Sequence, residues 1–218
     1  MSLHYNPRNM RREHSLRVVI FITTGVVVWS GIRPYDPLVW LFEISLGLLG
    51  TLVLLATCRR FRFSNLVYVL VCLHIVVLAV GAKYTYAEMP LFNWLRDTFD
   101  LSRNHYDRVG HFMQGFVPVV IVRELLLRMT SLQRGKMLAF LAVCVCLALS
   151  AFYELIEMWM VLLFYPDQGP EWLGIQGDAW DAQWDMTMAL CGALLAYGLL
   201  HRLHDRSLES LRAPRSRP

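Results

Sequence analysis

The chain has 218 residues, of which 56% are hydrophobic and only 17% charged, and its mean hydropathy is +0.41. That composition excludes an ordinary soluble domain, and the apolar residues fall in long runs. A net charge of +4 does not point to nucleic acid, because Lys and Arg form short clusters between apolar segments rather than one basic face.

The fold class read from this pattern is all-α, a polytopic transmembrane helical bundle forming one integral membrane domain over residues 1–218. The first apolar run, 16–32, follows Arg8, Arg11, Arg12 and Arg17. It leads into Arg33-Pro34-Tyr35-Asp36-Pro37 instead of a small-residue cleavage site, so it reads as an uncleaved signal anchor. Further spans are predicted at 38–57, 65–82, 109–128, 137–165 and 185–203, each at least the 17 residues or so that a crossing helix needs. The fifth is long enough to tilt or to project beyond the bilayer. Residues 204–218 form a basic tail, expected to be cytoplasmic and disordered.

Six spans put both termini on one side. Fifteen Lys and Arg residues lie on that side and five on the other, with Arg123 inside a span; the positive-inside rule makes the termini cytoplasmic. All seven tryptophans then fall in outward loops or the outward halves of spans, which reads either as a one-sided interfacial belt or as an aromatic-lined groove for an amphipathic ligand. The five cysteines lie in or at the ends of spans, and Cys144 and Cys146 point to opposite sides of one helix, so they read as packing residues.

Three stretches carry chemistry into this apolar frame. A helix from Tyr106 places Asp107, His111 and Gln114 on one face. Glu154 and Glu157 lie inside the fifth run, and Asp178, Asp181 and Asp185 share a face at the mouth of the sixth. Ionisable groups in spanning helices are costly, face the protein interior and mark functional sites. So many acids cannot all be ionised in a low-dielectric site; either some hold protons or a cation neutralises them. The expected ligands of a divalent metal cation are Asp107, His111, Asp178, Asp181 and Asp185, an oxygen-rich set with one imidazole that suits Mg, Mn, Ca or Zn. Glu154 and Glu157 are the expected catalytic pair, one of them a general base. Among the remaining groups, Glu124 is expected to pair with Arg128 at i+4 and His74 to be a hydrogen-bonded packing residue. Glu43 is left between joining the site and pairing with Arg33.

The motifs YTYAEMP (84–90), YDRVGHFMQGFVP (106–118), YELIEMW (153–159) and QGDAWDAQWDM (176–186) resemble the YjdF family of bacterial inner-membrane proteins across essentially all the spans. The resemblance implies location, in the bacterial inner membrane, more than activity. A weaker likeness to VanZ-like envelope proteins rests on the Asp107-to-Phe112 pattern, the Glu154/Glu157 helix and Asp181, Asp185 and Gly192; those proteins usually carry Asn at the place of Asp185. The leading functional expectation is cation-assisted chemistry on an envelope lipid or other amphipathic substrate. The alternatives are a small transporter with a proton or cation relay, and a structural or regulatory membrane protein.

Overall fold

The structure, a computed structural model, describes residues 7–164 and 175–212. All the regular elements among the described residues are helices, without a strand. The helices are α1 (Pro7–Gly31), α2 (Pro37–Thr57), α3 (Asn65–Tyr84), α4 (Pro90–Phe99), α5 (Tyr106–Phe116), α6 (Pro118–Met129), α7 (Lys136–Phe164) and α8 (Asp181–Arg212), with one 3-10 turn at Ile175–Gly177. By length and apolarity alone, α2, α3, α7 and α8 can each cross a membrane, and Val18–Gly31 of α1 is a shorter apolar segment. Trp172 lies outside the described residues.

Local chemistry sets the boundaries. Asp36 caps α2, its carboxylate accepting from the Leu38 and Val39 amides at 2.8 and 3.0 Å, and Pro37 at the first helical position gives up no hydrogen bond. Thr85 and Tyr86 take left-handed conformations and turn the chain out of α3. The expected fourth span, 109–128, begins earlier, at Tyr106, and is broken in two at Val117. Pro118 has no N–H to donate and its ring crowds the preceding turn, so α6 restarts there. The polar segment before it holds α4, an amphipathic helix that the hydropathy reading passes over; its Leu91, Trp94 and Phe99 are exposed. The expected tail from residue 204 is also corrected: α8 runs on to Arg212, with His204 and Leu208 buried. Residues 213–218 lie outside the described residues.

Packing centres on α5 and α8, which run parallel and touch along their full shared length, while α1 and α2 pack on α3, and α7 on α8 and α6. Small residues let the backbones approach, as in helix contacts within lipid. A Cβ at Gly115 would collide with the Ala189 carbonyl, and one at Gly192 with the Phe112 carbonyl. Around this contact Met113, Val117, Val120, Ala142, Cys146, Ala193 and Ala196 form the core, whereas Phe21, Leu52, Leu163 and Leu199 face outward.

The end of the bundle away from α4 is closed by its own charges. Glu124, fully buried, accepts from the Ser64 amide at 2.9 Å, from Arg128 Nη1 at 2.6 Å and from His204 Nε2 at 3.0 Å. Arg123 donates to His204 Nδ1 at 2.8 Å and to Asp205 at 2.7 Å, and Arg134 reaches Asp205 at 3.0 Å. The expected Glu124–Arg128 pair is present, as part of this larger network.

If the α5–α8 contact organises the bundle, Gly115→Ala and Gly192→Ala will each destabilise it by about 1–3 kcal/mol or more. Gly198→Ala on the same helix meets open space and will be neutral or stabilising by up to about 1 kcal/mol. Melting of the detergent-purified variants checks this, and a Gly115→Ala protein that melts with the parent would remove the contact from its central role.

Candidate functional site

The site is built at the α4 end, where the N-termini of α5 and α8 lie side by side. Asn104, fully buried, sits at the joint. Its side chain caps α5 through the Tyr106 amide at 3.0 Å and donates to the Met89 carbonyl and to Asn93. Asn104 and Gln176 also bond reciprocally: the Asn104 amide donates to Gln176 Oε1 at 2.8 Å, and Gln176 Nε2 to the Asn104 carbonyl at 3.0 Å. This ties the α4–α5 loop to the turn before α8 and fixes which faces of the two helices meet.

Two arginines fill that meeting face. Arg103 Nη1 donates to Asp178 at 3.2 Å and to Asp181 at 2.6 Å, and Arg108 Nη2 reaches the same two carboxylates at 3.0 and 2.6 Å. Arg108 Nη1 also bonds Asp185. Beside them, burial and then the charges of Arg103 and Arg108 push the His105 imidazole below its ordinary value. In the sequence alone both arginines look like loop charges. They compensate Asp178 and Asp181 directly, and Arg108 compensates Asp185 as well; of the expected ligands, Asp107, His111 and Asp185 are the ones that bring ligand atoms within reach of one another among the described residues.

Asp107, His111 and Asp185 remain as a compact group, each offering one ligand atom within 4.8 Å of the others, and all three are buried. His111 Nε2 lies 3.5 Å from Asp107 Oδ1 and 3.7 Å from Asp185 Oδ1. Both separations are long for hydrogen bonds. They lie close to the edges of about 3.4 Å that a tetrahedral site has when its bonds are about 2.0–2.2 Å. On the ring's other side Nδ1 meets Gln114 Oε1 at 2.9 Å; in the neutral tautomer that donates from Nδ1, the Nε2 lone pair faces the two aspartates, the orientation a metal-binding imidazole needs. Glu154 Oε1 lies 3.6 Å from Nδ1 and has no hydrogen-bond partner. The Tyr153 ring meets the imidazole edge-on at 5.8 Å between centroids.

Next to this group opens a cavity of about 760 Å³ between α2, α3, α5, α6 and α7. Its polar residues collect at one end: Glu43, Tyr86, Asp107, His111, Gln114, Tyr153 and Glu157. Glu43 thus joins the site; it makes no pair with Arg33. At 1.5 Å per residue Glu43, His111 and Glu157 lie roughly 7–11 Å below the α4-end termini of their helices, Gln114 about 12 Å and Tyr153 about 16 Å, with Asp107 nearer the rim and Tyr86 in the turn just beyond α3. The rest of the lining is apolar save for Thr51, Thr57 and His74. His74, expected to be hydrogen-bonded, has a buried Nε2 without a partner. Glu154 and Glu157 are about one turn apart on one side of α7; Glu154 lies 3.6 Å from the imidazole and Glu157 lines the cavity.

Arg108→Met leaves Asp181 and Asp185 without their shared counter-charge and will cost about 3–5 kcal/mol. Adding Asp181→Asn will return part of that loss, giving a favourable coupling in a double-mutant cycle read by thermal melting. Strict additivity would mean that the guanidinium does not carry these carboxylates.

A family model described as "Predicted membrane protein (DUF2238)" matches residues 15–206. The "Inner membrane protein YjdF" of Escherichia coli (strain K12) is 45% identical over 186 residues, covering 85% of this chain and 88% of that protein. No solved structure matches. Helices apolar enough to cross a bilayer, together with a family match over nearly the whole chain, make this a multi-pass inner-membrane protein that belongs to the DUF2238 family, the family of YjdF.

Proposed function

We propose that the protein takes an amphipathic, lipid-like substrate into the cavity from the bilayer and presents its head to a cation-assisted His/carboxylate centre on the outward side. One observation carries this reading: a single cavity has long apolar walls and polar groups gathered at one end. A pocket for a small polar ligand would have no use for the walls. The cavity is also open sideways. Helix α2 packs chiefly on α3, and it meets α7 through the Phe42–Tyr153 ring contact, 6.5 Å between centroids, at the polar end. Leu49, Val53, Leu149 and Phe152 line the cavity and are also about half exposed, so a chain can pass between α2 and α7 from lipid.

The topology within this proposal has six crossings, counting α1 and counting α5 with α6 as one broken span, with both termini cytoplasmic. A broken span is tolerated where protein, not lipid, surrounds the freed backbone groups, as around Val117. Asp107, His111 and Asp185 would hold a divalent cation that polarises the substrate's head, and Glu154 or Glu157 would act as the base. The transport reading is less well supported, because the polar groups do not continue toward the other end and Glu124 and His204 there are saturated by their own network.

Purified protein is expected to carry or rebind a divalent ion, and to gain about 2.7 kcal/mol of stability at a hundredfold excess over Kd. His111→Ala with Asp185→Asn will abolish that gain. Elemental analysis and melting with and without chelator decide it; no ion and no shift with Mg, Mn, Ca or Zn would end the metal assignment.

Reporter fusions after Arg62 and Lys136 are expected to report the cytoplasm, and those after Asn93 the periplasm. A periplasmic signal after Lys136 would overturn the six-crossing topology.

A further inference from the structure

The polar end of the cavity has a sign. Three carboxylates line it, from Glu43, Asp107 and Glu157, and no Lys or Arg does. The nearest guanidinia, on Arg103 and Arg108, are engaged by Asp178, Asp181 and Asp185 and lie 3.7 Å from Asp107 Oδ2, so Glu43 and Glu157 are the lining carboxylates without a cationic partner among the described residues. Neither Glu43 nor Glu157 forms a hydrogen bond or ion pair with any described residue, although closed ion pairs satisfy Glu124 at the other end of the bundle. Carboxylates left unpaired in a low-dielectric cavity are costly unless a ligand completes them.

Two tyrosines face the same space. Tyr86 is 95% buried, having 5% of its surface exposed, and its hydroxyl has no partner among the described residues. The ring is seated against α3 and α5 where Gly81 and Gly110 leave room; a Cβ at Gly110 would lie 2.8 Å from its edge, and one at Gly81 would collide with it. Backbone sterics on two helices therefore hold this aromatic against the cavity's polar end, with the Tyr153 ring also on the lining. Aromatic faces and carboxylates around one space are the recognition chemistry of ammonium groups.

Resting on the reading of the cavity as an amphiphile site, we propose that it selects a cationic head, so that its substrate class is amphiphiles bearing an amine or quaternary ammonium, held by Glu43 and Glu157 between Tyr86 and Tyr153. The cation centre of Asp107, His111 and Asp185 adjoins this subsite, Asp107 and His111 being on the same lining, and would act on an electronegative group of the same molecule and not on the ammonium. An anionic phosphate head would meet carboxylates without a free guanidinium.

The test uses full-length protein in a neutral sugar-headed detergent and an alkyl trimethylammonium carrying a fluorescent label at the far end of its chain. Unlabelled alkylammonium, alkyl phosphate and neutral alkyl glycoside of one chain length compete for it. The alkylammonium should compete on the order of tenfold better than either other head. Glu43→Gln and Glu157→Gln should each weaken the probe on the order of tenfold without lowering the melting temperature, while Glu88→Gln outside the cavity should not. Equal competition by all three heads, or better competition by the phosphate, overturns the cationic preference and leaves the amphiphile cavity standing. Failure of every amphiphile to bind overturns both. Should the Glu variants not fold, the ranking of heads on the parent protein decides alone.

Discussion

The backbone contact between α5 and α8 at Gly115 and Gly192 is the constraint on which the rest depends. Two parallel helices pressed together without intervening side chains have one register, and a slip of one residue would drive a carbonyl into a Cα. With Gly115 against Ala189, the residues one turn earlier, His111 and Asp185, face each other, and Arg108 reaches Asp181 and Asp185. Further along in the other direction, Arg123 and Glu124 reach His204 and Asp205. The site and the distant ion network are thus set by a single register.

The arginine–aspartate lattice reinforces that register more than it adds stability. Removing two charges from water costs several kcal/mol per ion, and the attraction offsets this only when geometry is good and remaining hydrogen-bonding capacity is used. Arg108 meets that condition through three carboxylates and the Asp181 carbonyl, whereas Arg103 leaves Nε and Nη2 without hydrogen-bond partners. Such a lattice orients more than it binds. It holds Asp185 where His111 can share it and draws Asp178 and Asp181 away from the imidazole.

The helices were legible because an apolar run of twenty residues has few alternatives in a bilayer, and α2, α3 and α7 lie close to where hydropathy places them. Polarity marks where lipid ends, however, and not where a helix ends; α8 continues past residue 203 on the strength of His204 and Leu208 packing against the bundle. For the same reason α4, ten residues long and amphipathic, leaves no trace in hydropathy. Spacing along one helix was equally readable: Asp107 with His111 and Glu124 with Arg128 follow from i, i+4 alone. Partners across helices were not. Nothing in the sequence says that Arg103 and Arg108 neutralise acids more than seventy residues away, that His204 completes Glu124, or that Glu43 turns toward Glu157 and away from Arg33.

The contrast between the two ends of the bundle gives the functional reading its force. Glu124 is as deeply buried as any carboxylate here, yet the Ser64 amide, Arg128 and His204 occupy its oxygens, and Arg123 closes the ring through His204 and Asp205. The fold can therefore satisfy a buried acid when stability is all that is required. At the other end it leaves Glu43, Glu157 and the Tyr86 hydroxyl around one cavity without hydrogen bonds to any described residue, and beside them Glu154 Oε1 and Asp107 Oδ2, the latter 3.7 Å from Arg103 and Arg108. Each such group costs about 1–3 kcal/mol when nothing completes it. A fold that completes Glu124 at one end and leaves Glu43 and Glu157 without partners at the other supports the proposed ligand of the cavity.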